Sequence, residues 1–122
     1  MTRAAVRPDR LTVASARGDE LVPIENILAV VGADDYVELR LAGSRSLLHA
    51  ARLDGLASQL PPNFLRIHRS AIANLARVQR LEREGDRWRL HLGEGPPLPV
   101  SRSRQPALRE ALEQEVCTAA LV

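Results

Sequence analysis

A run of 15 residues in the second half of the chain contains four arginines and no acidic residue. It spans residues 66–80, RIHRSAIANLARVQR, and its cationic and hydroxyl-bearing members are Arg66, His68, Arg69, Ser70, Arg77 and Arg80. Arginine presents a planar fork of N–H donors that fits phosphate oxygens and the O6 and N7 edge of guanine. Because the run offers no carboxylate, we expect these guanidinium groups to be free. The run therefore predicts a surface that binds phosphates or base edges.

A second group of arginines stands where the last helix is expected to begin. Arg102 and Arg104 alternate with Ser101 and Ser103, and either serine could cap the helix. The first N–H groups of a helix have no partner within it, so a helix N-terminus beside hydroxyls and arginines favours an anion. Together the two groups favour duplex nucleic acid as the ligand. The alternative is that the serines are only caps and the arginines only keep the surface soluble.

The positive charge is concentrated in one stretch, although the whole chain is nearly neutral. The 122 residues include 17 arginines, no lysine and 15 acidic residues, for a net charge of +2. Residues 66–104 contain nine arginines and four acidic residues, whereas residues 1–65 contain seven and eight, and residues 105–122 contain one and three. The corresponding net charges are +5, −1 and −2, so the arrangement is more informative than the total.

Two arginines of this stretch are expected to be neutralised within a hairpin. With Gly85-Asp86 as a type II′ loop, Glu84 lies opposite Arg87, and Glu82 lies opposite Arg89 on the same sheet face. Leu81 then meets Leu90 on the other face. We therefore interpret Arg87 and Arg89 as a solvated, salt-bridged strand face.

The residue content disfavours an enzyme and a metal or cofactor site. The three histidines lack metal-binding spacing, and G-x-S-x-G, Walker A and G-x-G-x-x-G motifs are missing from the sequence. Asp34-Asp35 precedes a strand and is typical of a turn. The single cysteine, Cys117, can form neither an internal disulfide nor a cysteine-based zinc site. We expect a non-enzymatic protein without a cofactor.

The sequence also predicts where the protein acts and which kind of nucleic acid it binds. No apolar run approaches 18 residues and no secretory signal is present, so we expect a soluble, cytoplasmic protein that does not contact membranes. The chain has only three aromatic residues, Tyr36, Phe64 and Trp88, too few for the stacking platform of single-strand binders.

The elements that must position the arginines are mostly short strands. Strands are predicted at 11–16, 21–24, 26–33, 36–41, 46–50, 64–67, 78–84, 87–92 and 98–100, with 17–20 and 42–44 as turns. Leu53, Leu56, Ala57 and Leu60 follow helical spacing before Pro61-Pro62, and a closing helix begins near Ser101 or Ser103. The segment 68–75 fits neither period. The pattern predicts a mainly β domain.

Several segments in order resemble one known family. FLRIHRSAIANL, followed by RVQRLE, a hairpin and LPVSRSR before a helix, is similar to the LytTR-type DNA-binding domain of bacterial transcription regulators (the LytR/AlgR family). Upstream, IENILAVVGADDYVELRL and LLHAARLDGLASQLPPNF resemble the preceding blocks, so that the likeness runs from about residue 11 to residue 112. It implies an elongated β sandwich of about ten short antiparallel strands. A short helix packs between the sheets, and a second helix closes the chain.

The resemblance also implies roles for individual residues. Loops rather than a recognition helix would enter successive major grooves, with Arg69 and Arg102 contacting bases, and Asp35 or Tyr36 forming a third base-contacting loop. The phosphate-side neighbours would be His68, Ser70, Ser101, Arg104 and Arg66. Asn74 is interpreted as structural, because an Asn in an irregular segment usually bonds the local backbone.

These observations predict a sequence-specific duplex DNA-binding domain at residues 11–115, with a flexible segment at 1–10 and a tail at 116–122. Two alternatives stay open: a β-rich module whose arginines meet an acidic protein, and an RNA-binding protein. The family analogy implies repeated DNA sites, two copies on DNA, and a regulatory or sensor domain or protein outside this chain, as in two-component response regulators. Val116, Leu121 and Val122 could supply a dimer contact.

Overall fold

The computed structural model describes residues 10–15, 18–32, 35–93 and 95–120, with ten strands and two α-helices in this part of the chain. The strands are β1 (Arg10–Ser15), β2 (Gly18–Pro23), β3 (Ile27–Gly32), β4 (Val37–Leu41), β5 (Arg45–His49), β6 (Phe64–His68), β7 (Ala71–Asn74), β8 (Arg80–Glu84), β9 (Arg87–His91) and β10 (Leu98–Val100). The helices are α1 (Leu53–Ala57) and α2 (Gln105–Ala120), and short 3₁₀ turns occupy Ile24–Asn26, Leu75–Arg77 and Arg102–Arg104.

All strand pairs within the described residues are antiparallel, and they form three sheets. The central sheet has the order β5-β4-β3-β7-β6, a hairpin joins β1 to β2, and a third sheet has the order β10-β9-β8. The predicted mainly β fold with a closing helix is confirmed.

The middle strand β3 is buried on both faces, as its apolar composition predicts. Ile27 and Val30 pack in one core, whereas Leu28 and Ala29 pack in the other. A β-bulge between Ile27 and Ala29 explains why two consecutive residues face the same side. One strand therefore separates two hydrophobic cores.

Each core joins the central sheet to a different covering layer. The first core contains Val13 and Val22 of the β1–β2 hairpin together with Leu53 and Leu56 of α1, so the short helix packs between two sheets as expected. The second core contains Leu90 of the three-stranded sheet and Leu108 of α2. Burial of both faces fixes the central sheet and the turns at its ends.

Strand β7 was missed by the sequence analysis, which found no regular period in this segment. All four of its residues are buried, so alternation between apolar and polar residues is missing. Asn74 is 1% exposed. Its amide donates to Ile27 O at 2.8 Å, and its side-chain oxygen accepts from Ala76 N at 3.0 Å and from Asn63 Nδ2 at 2.7 Å. The structural role predicted for Asn74 is confirmed.

Several element boundaries also differ from the predictions. The first helix ends at Ala57 rather than near Leu60, because Gln59 N donates to Leu56 O and the Ser58 hydroxyl donates to Gly55 O. Strand β2 already begins at Gly18 in the predicted turn, since its ladder with β1 continues to Ser15. Arg10 starts β1 and α2 runs through Ala120. Residues 1–9, Arg17, Asp34, Leu121 and Val122 lie outside the described residues.

Candidate nucleic-acid interface

Arg69 lies in the two-residue turn between β6 and β7, which is called the Arg69 turn below. It is exposed, and its side chain forms no hydrogen bond or ion pair with any residue that the structure describes. The turn is anchored at one end of the central sheet, because Gly32 N donates to Ser70 O at 2.7 Å. The guanidinium of Arg69 is therefore available to a ligand.

Arg66 holds the Arg69 turn from within β6. Its Nη1 contacts Asp54 Oδ1 of α1 at 2.6 Å, its Nε donates to His68 O at 3.2 Å, and its Nη2 donates to Arg69 O. One guanidinium thus joins a helix to two carbonyl groups of the turn. Charge-assisted bonds of this kind are stronger than neutral ones. The sequence suggested a free Arg66, and the structure shows instead that it is engaged inside the chain.

His68 and Ser70 form a second network across the same turn. The backbone N–H of Ser70 donates to His68 Nδ1 at 3.2 Å, and the Ser70 hydroxyl lies 2.9 Å from the same nitrogen. Because a backbone N–H can only donate, Nδ1 acts as the acceptor, and the proton of the neutral ring is on Nε2. The network therefore leaves the Nε2–H group of His68 as a donor that these contacts do not use.

The second arginine group occupies the 3₁₀ turn Arg102–Arg104 before α2, called the Arg102 turn below. Ser101 N donates to Ile67 O at 2.9 Å, so this turn lies beside the end of β6 and near the Arg69 turn. The Ser101 hydroxyl does not cap the turn, because it donates to Ile67 O at 3.4 Å. Ser101 therefore connects the two turns, and of the two serines proposed as caps, Ser101 makes no side-chain cap bond.

Arg102 has an acidic partner within the chain, whereas the sequence favoured an anionic ligand at this position. Its Nη2 lies 2.5 Å from Asp86 Oδ2, and the two side chains are 80% and 61% exposed. Asp86 is in the loop of the β8–β9 hairpin, and its carbonyl accepts from Gln105 Nε2 at 2.9 Å. Gly85 has a φ of 64°, and Asp86 has no positive φ, which agrees with the predicted type II′ loop. This hairpin loop is therefore fixed to the start of α2.

Other arginines of the acid-free run are also occupied, so their predicted availability is wrong. Arg77 donates to Glu25 O through Nε at 3.0 Å and Nη2 at 2.8 Å. Arg80 lies 3.9 Å from Glu82 and 3.1 Å from His91 Nε2. Glu25 and His91 lie on other elements, whereas Glu82 lies on the same strand as Arg80, just beyond the end of the run. A count of acidic residues within the run could not reveal them.

The register of the β8–β9 hairpin is as predicted, and so is the Glu82–Arg89 ion pair, but the predicted Glu84–Arg87 pair does not form among the described residues. Glu84 lies opposite Arg87, and Glu82 lies opposite Arg89. Arg89 nevertheless contacts both glutamates, at 3.4 Å from Glu84 and 3.7 Å from Glu82. Arg87 is exposed and forms no ion pair with the described residues. Diagonal pairing by Arg89 therefore leaves Arg87 available, which sequence reasoning missed.

A shallow groove of about 430 Å³ brings the Arg102 turn and the hairpin together. Its polar lining includes His68, Asp86, Arg87, Arg89, Ser101 and Arg102. Five of these side chains are cationic or hydrogen-bond donors that line one open surface, and only one is acidic. The groove can therefore accept an extended anion.

The third predicted loop follows β3 at the same end of the central sheet. Asp35 and Tyr36 are both exposed, and they come shortly after Gly32, which bonds to the Arg69 turn. No ion pair or hydrogen bond joins either side chain to the other described residues. Arg104 is half-buried, and its N–H donates to Ser101 O at 2.9 Å. The structure thus brings all three predicted loops to one end of the molecule.

One carboxyl group beside this surface has a shifted pKa. A hydrogen bond between His91 Nε2 and Glu82 Oε1, 2.9 Å long, and the charge of Arg89 lower the pKa of Glu82 below its ordinary value of 4.5.

In the described part of the chain, no three His, Cys, Asp or Glu side chains are grouped to hold a metal ion. No described helix is long and apolar enough to cross a membrane.

Comparisons with known proteins identify relatives of this architecture. The profile of the LytTr DNA-binding domain family matches residues 18–113. The chain is 31% identical over 107 residues to the positive alginate biosynthesis regulatory protein of Pseudomonas aeruginosa, covering 85% of this chain and 43% of that protein. It is 30% identical over 113 residues to an uncharacterized response regulatory protein of Vibrio cholerae, covering 86% and 42%. The chain thus spans less than half the length of these relatives.

A solved structure shows the same fold. The LytTr DNA-binding domain of a response regulator from Bacillus cereus superposes with a TM-score of 0.76 at 22% identity, covering 86% of this chain and 97% of that one. The predicted resemblance is confirmed by these matches.

Proposed function

Because this chain belongs to the LytTr DNA-binding domain family, we propose that it binds double-stranded DNA sequence-specifically in bacterial transcription regulation. The observation that carries the proposal is the meeting of three loops at one end of the central sheet. Gly32 N bonds to Ser70 O and Ser101 N bonds to Ile67 O, so the loop after β3, the Arg69 turn and the Arg102 turn are neighbours. Loops on a rigid sheet can present side chains to DNA grooves.

Base contacts are proposed for one or two residues of each loop. Arg69 and Arg102 would each donate two hydrogen bonds to O6 and N7 of a guanine in the major groove. Asp35 would accept from cytosine N4, and Tyr36 would contact a base edge beside it. An Asp near phosphates lowers the affinity for DNA. At this loop Asp35 would therefore weaken binding while it improves discrimination between bases.

Phosphate contacts are proposed for the residues around the two turns. His68 would donate through Nε2–H and Arg104 through its guanidinium. The hydroxyl groups of Ser70 and Ser101 would exchange their bonds to His68 Nδ1 and Ile67 O for bonds to phosphate oxygens. Arg87 joins them, because it lies in the same groove as Arg102 and has no ion-pair partner among the described residues. Arg66, proposed from the sequence as a backbone contact, would act on DNA through the Arg69 turn that it holds.

A larger assembly is part of the proposal. The matched relatives are more than twice as long as the region that this chain covers in them, and both are described as regulatory proteins. We infer that a regulatory or sensor domain or protein outside this sequence controls DNA binding, and that two copies bind repeated sites.

The test begins by selecting a preferred duplex from a random library and measuring binding by fluorescence anisotropy. Arg69→Ala and Arg102→Ala should each cost about 1–3 kcal/mol and relax the preference at one base position. Arg104→Ala should weaken all sequences alike and reduce the slope of log K against log salt by about 0.9. These variants separate contacts to bases from contacts to phosphates.

Arg45→Ala is the matched control, because Arg45 is an exposed arginine opposite Leu41, at the far end of β4 from the three loops. It should bind the selected duplex nearly as well as the unchanged chain. If neither Arg69→Ala nor Arg102→Ala changes binding, the base-contact assignment is wrong. If no salt-dependent DNA affinity exists and an acidic protein binds instead, the function itself is that of an interaction module.

A further inference from the structure

We propose that Asp86 is a positioning residue that orients Arg102 for one guanine, an inference that rests on the proposed function. Its carboxylate touches the arginine that is assigned to a base, not the ligand itself. The expected result is stronger discrimination between bases at the cost of weaker binding to every duplex.

The geometry fixes the carboxylate at the arginine from two sides. Asp86 Oδ2 lies 2.5 Å from Arg102 Nη2, and the carbonyl of Asp86 accepts from Gln105 Nε2 at 2.9 Å. Gln105 is the first residue of α2 and Arg102 begins the preceding turn. The hairpin loop is therefore held against the same segment that carries Arg102, and the carboxylate is placed independently of any ligand.

The guanidinium of Arg102 has enough N–H donors to bond to Asp86 and to a guanine at the same time. A guanidinium carries five N–H donors on three nitrogens, and Asp86 engages one nitrogen, Nη2. The remaining donors can still bond to two acceptors on a guanine edge. An arginine side chain that is already held loses less rotamer freedom when the base binds.

Stability does not account for this ion pair. The two side chains are 80% and 61% exposed, and pairs so well solvated contribute little to folding. The carboxylate also stands in the groove that contains Arg87 and Arg89, where a negative charge repels phosphates. A group that adds little stability and opposes DNA affinity is explained by the orientation it imposes on Arg102.

The test compares Asp86→Asn with the unchanged chain on two duplexes. One is the selected duplex, and the other has the guanine assigned to Arg102 replaced. Asparagine suits the second loop position and retains the backbone carbonyl, so the hairpin should stay folded by circular dichroism. We expect binding to both duplexes to rise while the ratio between them falls by about 1.4-fold to 5-fold, the coupling range of exposed charge pairs.

Glu84→Gln is the matched control, since it removes one negative charge from the same hairpin but contacts Arg89 instead of Arg102. It should raise general affinity and leave the base ratio unchanged. A second control combines Asp86→Asn with Arg102→Ala. In this double variant the ratio of the affinities for the two duplexes should not fall below that of Arg102→Ala alone. The inference is overturned if Asp86→Asn leaves the ratio unchanged, or if Glu84→Gln lowers it equally.

Failure of this inference can be distinguished from failure of the proposed function. If Arg102→Ala lowers the base ratio and Asp86→Asn does not, Arg102 contacts the base without help from Asp86. If Arg102→Ala itself leaves every base preference unchanged, the assignment of Arg102 is wrong, and the inference falls with it.

Discussion

The Arg69 turn and the Arg102 turn prepare an arginine in two different ways. In the Arg69 turn the backbone is held, because Arg66 bonds to the carbonyls of His68 and Arg69 while the Arg69 side chain stays free. In the Arg102 turn the side chain itself is held, by the ion pair with Asp86. In the Arg69 turn the backbone position of the arginine is fixed, whereas in the Arg102 turn the guanidinium group is fixed.

This difference has consequences for binding. A free side chain on a firm turn can reach a base or a phosphate, but it loses rotamer freedom when it binds. A restrained side chain loses less freedom, but its carboxylate partner repels the DNA backbone. The Arg69 turn should therefore contribute more to affinity, and the Arg102 turn more to discrimination.

The largest expected effect is that of removing both arginines. In Arg69→Ala/Arg102→Ala we expect the two losses to add, giving about 2–6 kcal/mol on the selected duplex, because independently held side chains act independently. Fluorescence anisotropy on both single variants and the double variant measures the sum. A double loss clearly different from the sum would mean that the link between Ser101 and Ile67 couples the two turns.

A smaller effect is expected from removing the support of the Arg69 turn. Arg66→Ala breaks charge-assisted bonds to Asp54 and to two carbonyls, so the free energy of unfolding should fall by about 1.5–3 kcal/mol in urea titrations. The preference at the base assigned to Arg69 should weaken, while the preference assigned to Arg102 remains.

Asp54→Asn is the matched control for Arg66→Ala, because it removes the ion pair and leaves both carbonyl bonds to Arg66 in place. It should lose less stability and keep the preference at the base assigned to Arg69. Equal weakening at both bases in Arg66→Ala would contradict the separate roles of the two turns.

The fold could be predicted from local patterns wherever a strand has one buried face or a clear apolar run. The alternation in β4 and the apolar run in β3 each predicted their strand, and the β8–β9 register followed from a two-residue loop. Strand β7 could not be predicted, because it consists of small and apolar residues buried on both faces, with a buried Asn at its end. This segment forms a strand because it pairs with β3 on one side and with β6 on the other.

The positions of the candidate site residues could be predicted, but their partners could not. Arg69 and Arg102 were found from the acid-free run, the helix start and the family motif. The partners Asp54 and Asp86 lie 12 and 16 residues away from Arg66 and Arg102 in the sequence, on separate elements, so only the fold shows that they meet. Charge counting therefore overestimates how many arginines are free.

The smallest expected effect is a pH-dependent change in stability that arises from Glu82 in the β8–β9 hairpin. This hairpin carries Asp86, so it supports the Arg102 turn and not the Arg69 turn. The hydrogen bond to His91 and the charge of Arg89 lower the pKa of Glu82, so folding favours its ionised form. The resulting stability is present above the ordinary value of 4.5 and is lost as the pH falls through the lowered pKa.

Glu82→Gln cannot ionise, so it lacks this contribution at every pH. In urea titrations at neutral pH the unchanged chain should be slightly more stable than Glu82→Gln, and the difference should shrink as the pH falls through the lowered pKa of Glu82. A difference that persists or grows in acid would mean that Glu82 supports the hairpin through packing or neutral hydrogen bonds. In that case the hairpin that supports the Arg102 turn would be stabilised by packing, whereas we expect the charge of Glu82 to contribute. The Asp86–Arg102 ion pair would then be the only contribution of charge to the contact between the hairpin and that turn among the described residues.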